Sequence, residues 1–246
     1  MPKMILKNVR LFSGGADLTT RSNRVELSME AESKDSTSFV PTGDVWHEEL
    51  PGIKSSSITG AGQWEAGDAS MVDDHSWAGL GSVGPLTLAP ATAADGALAY
   101  MTAYARQAYS LGGSVGDVVP WSGTWNGNWP VARGLVLATP TPRTATGTGT
   151  IFQLPAVAAG QYLVGTLHLM SLSGTGGPSV TGTIQSAATV GFASPTNRIA
   201  FNAQSAIGGQ VFRLAGPITD TYYRLSFTIA GTTPSLLFMS AAGVSA

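Results

Sequence analysis

The sequence predicts a mainly β protein of two domains. An amino-terminal sandwich or barrel with one short helix comes first, and an antiparallel, jelly-roll-like sandwich follows. Three observations carry this. Residues 24–32 alternate strictly, with Val25, Leu27, Met29 and Ala31 on one side and Arg24, Glu26, Ser28, Glu30 and Glu32 on the other, the period of a half-buried strand. The second half consists of short apolar runs separated by Gly, Pro, Ser and Thr clusters at roughly 10-residue spacing. The charge also steps: residues 1–144 hold 10 Lys/Arg and 14 Asp/Glu, whereas residues 145–246 hold only Arg198, Arg213, Arg224 and Asp220. That step coincides with a Pro- and Gly-containing stretch, residues 138–150, which reads as a linker between domains 1–137 and 151–246.

Element by element, residues 4–12 form an apolar run stopped by Ser13-Gly-Gly15, consistent with an opening strand. Residues 24–32 make the alternating strand. Residues 33–51 read as a long polar connection, and residues 54–64 as a strand weakened by Gly60 and Gly62. Residues 70–80 suit a short helix with Ser70 or Asp73 as cap. Residues 98–109 fit helix and strand equally well. Residues 118–137 return to strand and put Trp121, Trp125 and Trp129 on one face by parity. Seven strands follow, at 149–154, 162–172, 179–186, 198–202, 210–215, 222–230 and 235–244.

Composition excludes several classes of function. The chain has 246 residues, 43% hydrophobic and 11% charged, the opposite of a disordered composition. No apolar run is long enough to span a membrane, and the amino terminus lacks the features of a secretory signal. Without cysteine there is no disulfide, zinc thiolate or cysteine nucleophile. A formal net charge of −2 gives no positive field to hold nucleic acid.

Candidate chemistry is sparse. Gly112-Gly-Ser-Val-Gly116 matches the G-x-S-x-G elbow, but Pro120 blocks the helix an elbow needs, and His168 and Asp220 follow in the wrong order for that triad. His47-Glu-Glu49 and Asp73-Asp-His75 lack H-E-x-x-H spacing and read as a solvated loop and an acidic helix start. The tryptophans, scattered and all before the second domain, read as core or interface anchors rather than a sugar platform. The expectation is no catalytic residue, no metal and no cofactor. Few charges, scarce Lys and many small residues suit packed subunit surfaces.

The order of segments in residues 1–137 resembles the tube-forming domain of siphovirus-type phage major tail proteins. The resemblance is carried by Ile5-Leu-Lys-Asn-Val-Arg-Leu11, Gly-Ala-Asp-Leu18, the 24–32 strand, Leu50-Pro-Gly-Ile-Lys54, the 58–67 segment, Val72-Asp-Asp74 and Leu111-Gly-Gly-Ser-Val-Gly-Asp117. The carboxyl half resembles the extra sandwich of some actinophage versions. The resemblance implies a structural virion protein, not an enzyme, made in the host bacterial cytoplasm and located in the tail. Its rings would stack into a channel for double-stranded DNA, with six copies per ring favoured over three. It further implies contacts with tape-measure, terminator and baseplate proteins, and none with a membrane. Glu26, Glu30 and Glu32, read here as free of paired lysines, would line the channel and repel phosphates. Phe39, Trp46 and Glu48 would sit in a loop reaching the neighbouring ring. A receptor- or carbohydrate-binding tail component is the alternative reading, and an esterase-type hydrolase a minor one.

Overall fold

The computed structural model describes residues 8–37, 48–68 and 70–245. The fold is mainly β, with every strand pairing antiparallel. The strands are β1 (Arg10–Ser13), β2 (Ala16–Asp17), β3 (Ser22–Asp35), β4 (Glu49–Gln63), β5 (Val83–Ala89), β6 (Leu98–Leu111), β7 (Pro120–Gly127), β8 (Ala132–Arg143), β9 (Gly147–Thr148), β10 (Phe152–Gln153), β11 (Tyr162–Ala187), β12 (Thr196–Ala200), β13 (Gly208–Ala215) and β14 (Tyr222–Ser245), with helix α1 (Val72–Gly79) between β4 and β5.

In the amino-terminal half the ladder runs β2-β1-β5-β6-β7-β4-β3. Its core gathers Leu11, Leu18, Ile58, Leu86, Tyr104, Trp121 and Trp125. The two indoles meet edge to face with centroids 6.3 Å apart, an arrangement their quadrupoles favour. Glycine makes room for them: a Cβ at Gly60 would lie 3.0 Å from Trp125 and 3.2 Å from Trp121.

The ambiguous 98–109 segment is strand β6, because it is paired with β5 on one side and with β7 and β8 on the other, which buries four consecutive residues, Met101–Tyr104. Residues 118–137 form two strands, broken around Asn128 and Pro130, so Trp129 leaves the face that Trp121 and Trp125 share. The helix begins at Met71 with no side-chain cap. Ser70 Oγ is bound to Asp68 instead, and the Asp73 carboxylate accepts from Trp64 Nε1 (3.2 Å) and Tyr109 Oη (2.6 Å). The opening strand starts at Arg10, and residues 4–7 of the expected run lie outside the described residues.

Four of the expected carboxyl-terminal strands merge into two. Residues 162–172 and 179–186 belong to β11, and 222–230 and 235–244 to β14. These strands pair along their whole length, from Leu163 with Val244 to Ala187 with Tyr222. Midway, Gly174, Gly176, Gly177 and Gly231 take positive φ, conformations a Cβ disfavours. There the ladder doubles back on itself. Leu163, Leu167, Phe238 and Val244 of one half share a core with Val180, Ile184, Leu225 and Phe227 of the other, and a Cβ at Gly165 would come within 2.3 Å of Ile184 Cδ1. The result is a sandwich made by folding one hairpin, with β12 and β13 added to β11.

The 138–150 stretch is not a free tether. Ala138 is fully buried, residues 138–143 complete β8, which pairs with β14, and Gly147–Thr148 pairs with β14 as well. Two prolines at 140 and 142 signal an extended course in a linker and in a strand alike. Pairing with β14 decides between them. A second apolar cluster joins the halves: Phe12, Ala99, Met101 and Val136 pack with Val164, Met170, Met239 and Ala241. Arg213 of β13 is held between the rings of Trp129 and Tyr162, 4.6 Å from each centroid. Limited proteolysis of the folded chain should therefore spare residues 138–150 and cut first in the exposed 112–119 loop. Early cleavage within 138–150 that releases two stable fragments would contradict this packing.

Candidate assembly surface

Strand β3 begins on the body and ends away from it. Val25 and Leu27 pack against the tryptophan core, opposite Gly60 and Ile58 of β4. Strand β7 pairs with β4 only from Ser57 onward. Beyond that point β3 and β4 continue alone as a two-stranded arm. Met29, expected in the core, is 58% exposed, and Ala31 is exposed too; Leu50 and Ile53 on the arm are 59% and 78% exposed. The alternation persists because the backbone period is fixed at two, but the body stands off from Met29 across an open groove, so no core closes behind it. The expected 33–51 connection is correspondingly shorter, since Ser33, Lys34 and Asp35 pair with Pro51, Leu50 and Glu49.

The outward edge of β3 carries no strand partner among the described residues. Such an edge presents a row of free N–H and C=O groups, a template for another chain. On the face away from the core, Glu26, Ser28 and Glu30 stand opposite Thr59, Ser57 and Ser55. These continue across the sheet into Ser122, Thr124 and Asn126, then to Ser110, whose Oγ lies 2.7 Å from Ser122 Oγ. This face is small, polar and hydroxyl-rich.

The glutamates do stand together on that face, but two of them are paired. Arg24 Nη2 donates to Glu26 at 3.1 Å, and Lys34 Nζ donates to Glu32. Glu30 accepts from Ser28 Oγ at 3.2 Å. Alternation brings the cations along, because residues i and i+2 of a strand share a face. With Arg24 and Lys34 counted, the strand's outer face carries a formal charge of −1 rather than −3. The pairs are exposed and contribute little to stability. Glu48 sits at the far end of the described arm, its N–H donating to Thr37 Oγ1 (3.0 Å) and its carbonyl accepting from Ser36. Phe39 and Trp46 lie outside the described residues, as does His47.

The catalytic candidates do not come together. Ser114 lies in an exposed turn between β6 and β7, with a strand rather than a helix after it. Asp220 is bound to Arg198 (3.0 Å) and Ser186. His168 is fully buried in β11. Among the described residues no three His, Asp or Glu side chains gather as metal ligands. Asp74 accepts from Gly67 N at 2.8 Å, and His75 Nε2 lies 2.8 Å from Ser13 Oγ.

A buried polar seam went unread in the sequence. His168 Nδ1 donates to the Gly14 carbonyl (2.7 Å), and its Nε2 lies 2.8 Å from Thr87 Oγ1, which in turn lies 2.8 Å from Thr166 Oγ1. This is the pattern of a neutral imidazole, one nitrogen donating and the other accepting. Nearby, Ser13 Oγ is also bound to Tyr104 Oη and accepts from Arg106 Nη2 at 3.3 Å. The Arg106 guanidinium is buried 5.0 Å from the Trp125 ring centroid. These partners lie 62 to 154 residues apart in the chain, so no local pattern could announce them.

Burial pulls the His168 pKa down to about 4, and burial together with the Arg106 charge pulls His75 down to about 3. Both values lie below that of an unfolded histidine, so the unfolded chain binds more protons. Stability should be full above about pH 6.5 and fall as the pH drops toward 4, by on the order of 3 kcal/mol for His168 alone. Urea midpoints at pH 7 and 4.5 check this. His168→Gln should flatten the fall, and an unchanged pH slope in that variant would show that His168 is not its source.

No known protein family model matches the chain, and no curated protein matches it. Among solved structures, a chain from the "Virion of native gene transfer agent (GTA) particle" is 19% identical with a TM-score of 0.44, covering 53% of this chain and 98% of its own. A chain from the "Tail of empty GTA particle", of C6 symmetry, is 21% identical with a TM-score of 0.39, covering 50% and 93%. The SPP1 Dit (gp 19.1) protein, titled a paradigm of the hub adsorption apparatus in Gram-positive-infecting phages, covers 98% of this chain and 100% of its own at 10% identity and a TM-score of 0.34.

Proposed function

We propose that the chain is a structural subunit of a phage-type tail whose copies join into rings, six per ring, and stack into a tube through which DNA passes. The observation that carries this reading is the β3–β4 arm: a long strand with one edge unpartnered and apolar side chains exposed at its end. A soluble domain that kept such an arm bare would invite irregular aggregation, whereas closure of copies into a ring covers it. The sequence resemblance of residues 1–137 to tail-tube domains supports the same reading. Residues 1–137 form the ring body in this proposal, and residues 151–246 form a sandwich welded to it. Tape-measure, terminator and baseplate proteins would be its neighbours in the virion.

The hydroxyl-rich face with Glu26, Glu30 and Glu32 is the face proposed to line the channel. It offers DNA few apolar contacts and no net positive charge, so phosphates would slide past without being held. The pairing of Glu26 and Glu32 leaves Glu30 as the carboxylate without an ion pair among the described residues. Its replacement by Lys would turn the formal charge of this strand face from −1 to +1. In particles built with Glu30→Lys, tails should assemble normally and DNA ejection should slow, most at low salt. Ejection at the wild-type rate in both low and high salt would take this face out of the channel.

Assembly itself is tested by concentrating the purified chain and viewing it in negative stain. Rings or tubes are expected. The double variant Leu50→Lys with Ile53→Lys should stay folded, since both side chains are exposed, and should fail to polymerise. A wild-type chain that remains monomeric, or a double variant that polymerises normally, would count against the proposal.

A further inference from the structure

Two apolar features of the subunit are unlike each other and do not meet within one copy. The first is a groove beneath β3. Val25, Leu27 and Met29 form one wall and Tyr100 part of the other, enclosing about 290 Å³. It continues past Met29 and Tyr100 into a cleft of about 470 Å³ that reaches Val131 and Arg133. A side cleft, also touching Met29 and Val131, holds Lys54 and Glu30. The second feature is a knob at the end of α1, where Trp77 is 79% exposed, with Leu80 at 55% and Val83 at 56%.

The charges around the two are complementary. Lys54 and Arg133 in the groove form no ion pair among the described residues. One turn before Trp77 on the same helix face stands Asp74, whose carboxylate takes the Gly67 N–H and no cation among the described residues. Glu65 and Asp68 lie on the approach to the helix, where Arg21 pairs with Glu65 and acts on Asp68, so Asp74 is an acidic group there that keeps its charge unpaired among the described residues.

We propose that Trp77 of one copy seats in the Met29 groove of the next, with Asp74 facing Lys54 or Arg133. The contact is heterologous: groove and knob are different surfaces, and a head-to-tail contact of this kind closes into a ring when its rotation allows. An indole is also the side chain that yields most when a pocket desolvates it. The inference rests on the self-assembly reading above and names the surface through which neighbours join.

The chain has no cysteine, so engineered thiols report cleanly. Ala31→Cys and Ala78→Cys sit beside Met29 and Trp77 and leave both in place. Mixed and oxidised under assembly conditions, the two variants should form a disulfide between copies, while neither variant alone should crosslink to a comparable extent. Trp77→Ala should fold with an unchanged melting temperature and need about tenfold more protein, or greater, to form rings. Asp74→Lys should weaken assembly similarly, and combining it with Lys54→Glu and Arg133→Glu should restore it in part. Rings that form normally from Trp77→Ala, with no mixed disulfide, would overturn this contact and leave the assembly reading standing. A wild-type chain that is monomeric at every concentration and gives no mixed disulfide would overturn both.

Discussion

The apolar seam in which Phe12 and Met101 pack against Val164, Met170 and Met239 decides how the rest of the molecule is used. Each of these side chains removes enough apolar surface from water to contribute about 1.5–3 kcal/mol, and β8, shared between β6 and β14, carries the backbone ladder across the same boundary. The buried His168, Thr87 and Thr166 chain and the Arg213 clamp lie along the seam and add directional constraints. An unpaired polar group there is costly; His168, Thr87 and Thr166 satisfy one another, while the adjacent Arg106, with Nε and Nη1 unbonded among the described residues, rests its guanidinium against the Trp125 ring. The two halves therefore share one continuous core and ladder.

A body joined in this way needs somewhere to present unsatisfied surface if it is to assemble, and the β3–β4 arm provides it. The same strand is a core element at Val25 and Leu27 and an exposed one at Met29 and Ala31. Nothing in its own periodicity changes between the two. What changes is the neighbouring strand: β7 stops pairing with β4 at Ser57. The arm is a consequence of unequal strand lengths, and its paired charges keep its outer face hydrated while its edge stays open.

Much of the architecture was legible in the sequence because it depends on local pattern. The strand at residues 24–32, the helix before residue 80 and the β character of the carboxyl half all follow from period and punctuation. The merging of four predicted strands into β11 and β14 was not legible. Gly174, Gly176 and Gly231 mark an interruption, and a sequence reads an interruption as a turn between strands; that the chain bends, shifts register and goes on pairing with the same strand is known only from the partner strand. The linker failed for a similar reason. Pro140 and Pro142 fix an extended backbone, and only the distant strand β14 determines that it is a paired one. On the candidate surface, the shared face of Glu26, Glu30 and Glu32 could be read from alternation, and so could Arg24 and Lys34, which parity places on that same face. The groove and the polar seam are assembled from residues far apart, for which one chain offers no signal.

The account stands on β3 being an open edge in the isolated subunit and a covered one in the assembly. Hydrogen exchange of the β3 amides, Ser22–Asp35, compared between dilute protein and concentrated, assembled protein, addresses that directly. Rapid exchange along the arm in dilute solution and strong protection on assembly, with the β11–β14 core protected in both, is the predicted result. An arm that exchanges equally fast in both states, in a sample that has assembled, would contradict it.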